Sequence, residues 1–352
     1  METITILMPG EISERLQNML DYSIRGYDIQ IIKSCEEMTC LQNKRIIFAI
    51  ELGETGINIE HYRILDKLAI AGSDFLKDSY GSVIVNSNNE LFSRDVARKT
   101  ILYANMAGCM FPGRPLSEAT GSLNNFNTQQ KRAPHLSLEE LCLEECRHIV
   151  EELMNFKTNK LTSPKILTLH SSSYKTSNTL LLWNMVKEHL TDCNINEIHI
   201  ENGSVRDCKG CPYKACKHYS QSNNCFYGGI MVEEVYPAII DCDILIMLCP
   251  NYNDSISANL SAAINRLTAL FRKVKFYDKY LYSIIVSGFS GSDIIAQQLI
   301  SSLNINKTFM LPPKFALMET ANDFGEILKI GNIKEKAEEF ATNIKSCTVK
   351  EI

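Results

Sequence analysis

Four cysteines, Cys208, Cys211, Cys216 and Cys225, fall within eighteen residues in the run CKGCPYKACKHYSQSNNC. Thiolates crowded that closely outside an oxidising compartment point to a shared centre. Tetrahedral zinc and a 4Fe-4S cluster both accept four cysteine sulfurs, and both are built from spacings that begin with two intervening residues, as between Cys208 and Cys211. Gly210 and Pro212 suit a loop that can turn four sulfurs toward one cube, so a cluster is the first reading. Zinc is the second, because His218 lies close by but the spacing of a zinc knuckle is not met. Free thiols, or a redox CxxC pair of Cys208 and Cys211, are the third. Cys142 and Cys146, one helical turn apart on an apolar seam, read as small buried hydrophobes.

A second group of residues suits anion binding. After the strand-like KILTLH comes SSSYKTSNT, in which Ser171, Ser172, Ser173, Thr176, Ser177, Asn178 and Thr179 offer seven polar side chains in nine positions. One helix cap needs one such residue. The surplus, beside unpaired helix N-terminal N–H groups, is what a phosphate monoester requires. Neither GxGxxG nor GxxxxGK[ST] is present, which argues against a dinucleotide site and against an ATPase. Two more loops follow strand-like runs: Pro250-Asn251-Tyr252-Asn253-Asp254-Ser255-Ile256-Ser257, and Ser287-Gly288-Phe289-Ser290-Gly291-Ser292. Tyr252 and Phe289 can stack on a flat ring, while Gly288 and Gly291 admit close backbone approach. Three loops at the carboxyl ends of strands converge on one crevice in an open α/β sheet. His170, at the end of the first of these strands, reads as a packing residue.

The elements that must position these loops are legible as apolar runs of strand length alternating with helical periods, the pattern of a doubly wound parallel sheet. In the second half, strands are expected at 166–169, 197–200, 244–249, 282–286 and 308–311. Helices are expected at 179–190, 231–240, 257–271, 293–303 and 333–345. The first half repeats the theme with strands at 4–8, 29–32, 46–50 and 82–86 and helices at 12–20, 62–76 and 93–107. The stretch from Val85 to Pro112 has the same order of parts as that from Val286 to Pro312, which suggests an internal duplication. A linker is expected at Ser117–His135, followed by an amphipathic connecting helix that opens on a Ser137-x-x-Glu140 capping box.

Composition limits the partners. The chain has 352 residues, room for two domains, with 36 Lys+Arg against 41 Asp+Glu and a net charge of −5. It therefore has no global attraction to nucleic acid or anionic membranes. METITILMPG runs straight into a strand pattern, no run of about 18 apolar residues occurs, and thirteen cysteines are present. A cytoplasmic protein is expected.

Together these residues resemble the NADPH-dependent FMN reductase group of the flavodoxin-like superfamily, and most closely its iron-sulfur flavoproteins, over about residues 163–344. The group's phosphate loop, GSPRxxGNT, is similar to SSSYKTSNT, with Ser172, Asn178 and Thr179 identical. Tyr174 replaces the arginine, and Lys175 offers a point charge in its stead. The isoalloxazine loop P-x-Y-x-x-S-x-S-A is similar to PNYNDSISA, and a compact run of four cysteines before a helix lies between the two. The gaps of four and eight residues after Cys211 and Cys216 are longer than the group's.

The resemblance implies a flavodoxin-like, doubly wound parallel five-stranded sheet of order 2-1-3-4-5 in residues 161–347, the FMN-binding domain with its four-cysteine insertion. Residues 1–116 would be a degenerate, duplicated flavodoxin-like α/β domain without a cofactor loop, and 117–160 the linker and connecting helix. It implies FMN as cofactor and NAD(P)H as reductant, with a quinone-type small molecule or a ferredoxin-like carrier as electron partner and a homodimer or tetramer as the assembly. The alternative is a non-catalytic flavodoxin-like protein with a structural zinc or free-thiol loop.

Overall fold

In the computed structural model, residues 3–158, 160–172, 176–201 and 203–348 are described. The chain divides into two compact units, Met1–Lys157 and Thr158–Ile352.

The N-terminal unit runs β1 (Thr3–Leu7), α1 (Glu14–Ser23), β2 (Asp28–Ile32), β3 (Arg45–Leu52), α2 (Ile59–Ala71), β4 (Tyr80–Ser87), α3 (Ser93–Met106), β5 (Leu116–Ala119), α4 (Asn127–Gln130) and α5 (Leu138–Asn155). All pairings are parallel, in the order β2-β1-β3-β4-β5. Central β3 and β4 are almost wholly buried because helices cover both faces, whereas edge strand β2 leaves Ile29 and Ile31 exposed. Ser137 and Glu140 form the expected capping box at the start of α5. That helix buries Leu141, Cys142, Cys146, Ile149, Val150 and Leu153 against α1 and the β-sheet residues Ile4, Ile6, Ile47 and Ile84.

The C-terminal unit runs β6 (Lys165–His170), α6 (Asn178–Glu188), β7 (Asn194–His199), α7 (Tyr213–Ser220), α8 (Tyr236–Asp241), β8 (Ile244–Pro250), α9 (Ala258–Phe271), β9 (Tyr280–Ser287), α10 (Ser292–Leu299), β10 (Ala316–Thr320) and α11 (Ile333–Thr348). A π-helical turn, Met231–Val235, leads into α8, and a second, Ile300–Ile305, extends α10. The order is β7-β6-β8-β9-β10, all parallel. Counted from the start of the unit this is 2-1-3-4-5, the flavodoxin-like order, and the N-terminal sheet has the same one.

The likeness of the two units extends to detail. Met110 bridges Tyr80 as Met310 bridges Tyr280. The Asn105 side chain donates to the Cys109 carbonyl as that of Asn304 donates to the Phe309 carbonyl.

The fifth strand needs correction in both sheets. The run expected to pair at 308–311 contributes the single Met310 bridge and then meets Pro312 and Pro313, which lack the N–H that a ladder needs. The edge strand is β10, with Ala316 opposite Ser283. In the first half the counterpart is β5, which pairs Ser117 with Ile84 and Glu118 with Val85 inside the stretch expected to be a linker. Among the described residues no helix is long and apolar enough to cross a membrane.

Candidate functional site

The carboxyl ends of β6, β8, β9 and β10 carry four loops, and the hydroxyls of the first divide into separate tasks. Ser177 caps α6 by accepting from Leu180 N at 3.2 Å. The Ser171 hydroxyl is 2.6 Å from that of Ser257, tying the loop to the start of α9. The Asn178 carboxamide braces the fourth loop: Nδ2 donates to the carbonyls of Ala321 (3.2 Å) and Asp323 (2.8 Å), and Oδ1 accepts from Gly325 N at 2.8 Å. Thr179 is buried. Ser172 remains. It is 1 % exposed, and its Oγ has no partner among the described residues. A buried hydroxyl left unpaired costs about 1–3 kcal/mol, so one in the loop that leads into a helix N-terminus is a candidate donor to an anion. Ser173, Tyr174 and Lys175 lie outside the described residues.

The second and third loops are tied by Asn251, which extends the strand ladder through its N–H to Val286 O at 2.9 Å. Its Nδ2 reaches Ser287 Oγ (3.1 Å), Ser290 O (3.0 Å) and Asp254 Oδ1 (3.3 Å). Asn253 and Asp254 both have positive φ, a conformation that these two residue types tolerate, and Tyr252 pairs with Ser255 to close the turn. Gln298 clamps the loop from α10 by accepting from Ile256 N and donating to Asp254 O. In the third loop the Ser287 and Ser292 hydroxyls are 2.7 Å apart. Gly291 has φ +88°, and a Cβ there would lie 2.3 Å from Asp254 Oδ1, so any side chain would be strained and would displace the Asp254 carboxylate. A Cβ on Gly288 would lie 2.8 Å from Asn322 Oδ1.

The fourth loop, Ala321–Gly325, is absent from the sequence reading because the strand before it was placed too early. Its signal is the turn-forming run Asn322-Asp323-Phe324-Gly325 after Ala316–Thr320. The Glu326 carboxylate accepts from Asn322 N and Asp323 N at 2.9 Å each, and Thr320 Oγ1 donates to Phe289 O at 3.2 Å. Tyr252, Phe289 and Phe324, one ring from each of three loops, are largely exposed, Phe289 by 81 %. Rings left in water around a crevice are available for stacking. His170 is buried and stacked on His199 with ring centroids 4.7 Å apart. Burial first, and the neighbouring His199 second, push its pKa down to about 4, so it is neutral near pH 7.

The four cysteines line one cavity of about 510 Å³, which Tyr227, Arg266 and Arg272 also line. Pro212 precedes α7, which carries Cys216 and packs against α9. Arg272 Nε donates to Cys216 Sγ at 3.0 Å. The Tyr227 hydroxyl is raised above its ordinary pKa by burial and then by Cys211, Cys225 and Cys208. His218 rests on Tyr219 outside the lining. Among the described residues, no three Cys, His, Asp or Glu side chains are gathered as a single metal ion requires.

The equivalent edge of the first sheet is filled. Glu51 Oε2 accepts from the N–H (3.0 Å) and hydroxyl (2.8 Å) of Ser13, the cap of α1, and Oε1 accepts from Asn86 Nδ2 at 2.6 Å. Arg15 donates from Nε to Asn86 Oδ1 (2.6 Å) and from Nη2 to Ser87 O (2.7 Å).

Residues 164–323, all in the C-terminal unit, match the model of the NADPH-dependent FMN reductase family. The resemblance drawn from SSSYKTSNT and PNYNDSISA holds over that span, and the family is one of oxidoreductases. Solved structures similar to the chain include an NAD(P)H:quinone oxidoreductase from Methanothermobacter marburgensis, at 14 % identity over 52 % of this chain and 98 % of that one, with a TM-score of 0.40. A WrbA-like flavodoxin from Agrobacterium tumefaciens aligns at 13 % identity over 53 % and 100 %, with a TM-score of 0.34. A Trp repressor binding protein from Bacillus subtilis aligns at 17 % identity over 50 % and 96 %, with a TM-score of 0.33. No curated protein matches the sequence.

Proposed function

We propose that the chain is an FMN-dependent oxidoreductase whose flavin sits at the carboxyl edge of the second sheet. The observation that carries this reading is the buried Ser172 hydroxyl, without a partner among the described residues, in the loop between β6 and α6 and inside a span matching a flavin reductase family. Bound there, FMN would supply hydride acceptance from NAD(P)H and release of electrons singly or in pairs.

The protein's own groups bind and orient. Ser172 and the free N–H groups of α6 hold the phosphate, and Ser173, Tyr174, Lys175, Ser177 and Thr179 belong to the same loop. Pro250 to Ser255 and Ser287 to Gly291 form the walls for the ring, with Asn251 and Gln298 fixing their separation. Tyr252 and Phe289 keep water from its faces. Neutral His170 adds no charge beside the anion. Aromatic rims suit a flat, quinone-type acceptor, and a ferredoxin-like carrier is the second electron partner.

The cysteine cavity supports a 4Fe-4S cluster on Cys208, Cys211, Cys216 and Cys225. Four cysteines that line one cavity are the donor set such a cluster takes. Thirteen unpaired cysteines support a reducing compartment, the cytoplasm.

Anaerobic addition of NADPH tests the reading. Bleaching of the flavin absorbance without any external carrier is expected. A colourless protein that takes up no FMN, or a flavin that neither NADPH nor NADH bleaches, contradicts it.

A further inference from the structure

Two guanidinium groups line the cysteine cavity, and no carboxylate among the described residues pairs with either. Arg266 is 3 % exposed; its Nη2 donates to Gly228 O at 2.8 Å, and its Nε is buried with no acceptor among the described residues. Arg272 donates from Nε to Cys216 Sγ at 3.0 Å and lies 4.7 Å over the Tyr213 ring. Among the described residues, the ion pairs of this unit, Lys165–Asp241, Lys187–Glu197, His199–Glu201, Lys279–Asp278 and Lys336–Glu319, involve neither.

The surrounding sequence sharpens the imbalance. Residues 208–232, which carry all four cysteines, contain no Asp or Glu, and neither do residues 255–277, which carry both arginines. Asp207, just outside, is engaged by Cys208 N at 2.6 Å and Asn265 Nδ2 at 3.0 Å. In a chain of net charge −5, this cavity has been built basic.

A cation taken out of water without a counter-charge is strongly destabilising, so a site that buries one fits an anionic occupant. Four cysteine sulfurs bound to a metal centre provide it, since their combined charge exceeds that of the core they hold. Cations and N–H donors near such sulfurs favour the more negative, reduced state and raise its potential.

We propose that Arg266 and Arg272 balance the charge of an iron-sulfur centre held by Cys208, Cys211, Cys216 and Cys225 and set its reduction potential, an inference that rests on the cluster reading above. Arg272 acts by its hydrogen bond to a ligand sulfur. Arg266 acts by its buried charge.

The test uses the full chain, purified anaerobically, in the wild type and in Arg272→Gln, Arg272→Lys and Arg266→Lys. Iron and sulfide are assayed, and the midpoint potential is followed in the cluster's electron paramagnetic resonance signal, apart from the flavin. Arg272→Gln is expected to keep its iron and sulfide with the potential shifted negative. Arg272→Lys, which keeps the charge and loses the planar donor, should fall between it and the wild type. Iron lost from Arg272→Gln but retained in Arg272→Lys, with FMN content unchanged in both, supports the same role. Full iron with an unshifted potential in Arg272→Gln and Arg266→Lys overturns the proposal while leaving the cluster in place. Wild-type protein with no iron or sulfide overturns the cluster reading itself, and the proposal with it.

Discussion

Glu51 opposite Asn86 and Pro250 opposite Val286 occupy the same rung near the carboxyl end of two sheets with one topology. In the first sheet the pair is polar, and with Ser13 and Arg15 it fills the edge with hydrogen bonds. In the second it is apolar, and polar atoms sit in the loops, where Ser172 is left without a partner among the described residues. The lesson is that this strand order creates a crevice, and the side chains at its rim decide whether the crevice is spent on internal bonds or kept for a ligand. The N-terminal unit, on this account, carries structure and the C-terminal unit carries chemistry.

The largest effect probes the structural role of the first unit. His61 is buried, its Nε2 is 2.8 Å from Thr100 Oγ1, and burial pushes its pKa down to about 4. Thr100 donates its own proton to Val96 O, so the imidazole is the donor and stays neutral. The folded pKa lies below the ordinary 6.5, so the unfolded chain binds the extra proton first. Stability is therefore present above about pH 6.5 and lost as pH falls toward 4, by on the order of 3 kcal/mol. Denaturation midpoints of the wild type should fall across that window, and those of His61→Gln should fall less.

A somewhat smaller loss is expected for Glu51→Ala, which strands the Ser13 N–H and hydroxyl and the Asn86 amide. The cost is about 2–3 kcal/mol in the unfolding transition that FMN does not shift, with FMN affinity unchanged. Weaker FMN binding in this variant would break the division between the units.

The opposite signature is expected at the second edge. Gly291→Val forces a branched side chain into a left-handed backbone position against Asp254, a strain of about 1–3 kcal/mol. FMN affinity, read by fluorescence quenching, should fall by up to about a hundredfold while the first unit unfolds as before. Ser172→Ala removes one donor to the phosphate and should weaken FMN by about tenfold. Because it also removes an unpaired buried hydroxyl, the flavin-free protein should be no less stable. A variant equally weak in binding and in stability would assign Ser172 to the core.

Much of this was legible beforehand. The cysteine quartet is plain from its spacing, and the polar loops after β6, β8 and β9 follow from residue types at strand ends. The strand order was implied by the resemblance those loops carry. What escaped was tertiary. The edge strands β5 and β10 are short, and the more apolar runs preceding them mimic strands until proline ends them. The fourth loop was lost with β10. Asn178 looked like a phosphate ligand in the sequence, but its carboxamide is consumed by Ala321, Asp323 and Gly325, more than 140 residues away. Spacing also gave no sign that Arg266 and Arg272 would face the cysteines, since α7 and α9 meet only in the fold.

The central claim is that one edge of the two binds the flavin, and calorimetric titration of the flavin-free full chain with FMN measures it directly. The account predicts one FMN per chain, retained in Glu51→Ala and strongly weakened in Gly291→Val. Two FMN per chain, none at all, or binding that survives Gly291→Val and disappears in Glu51→Ala would contradict it.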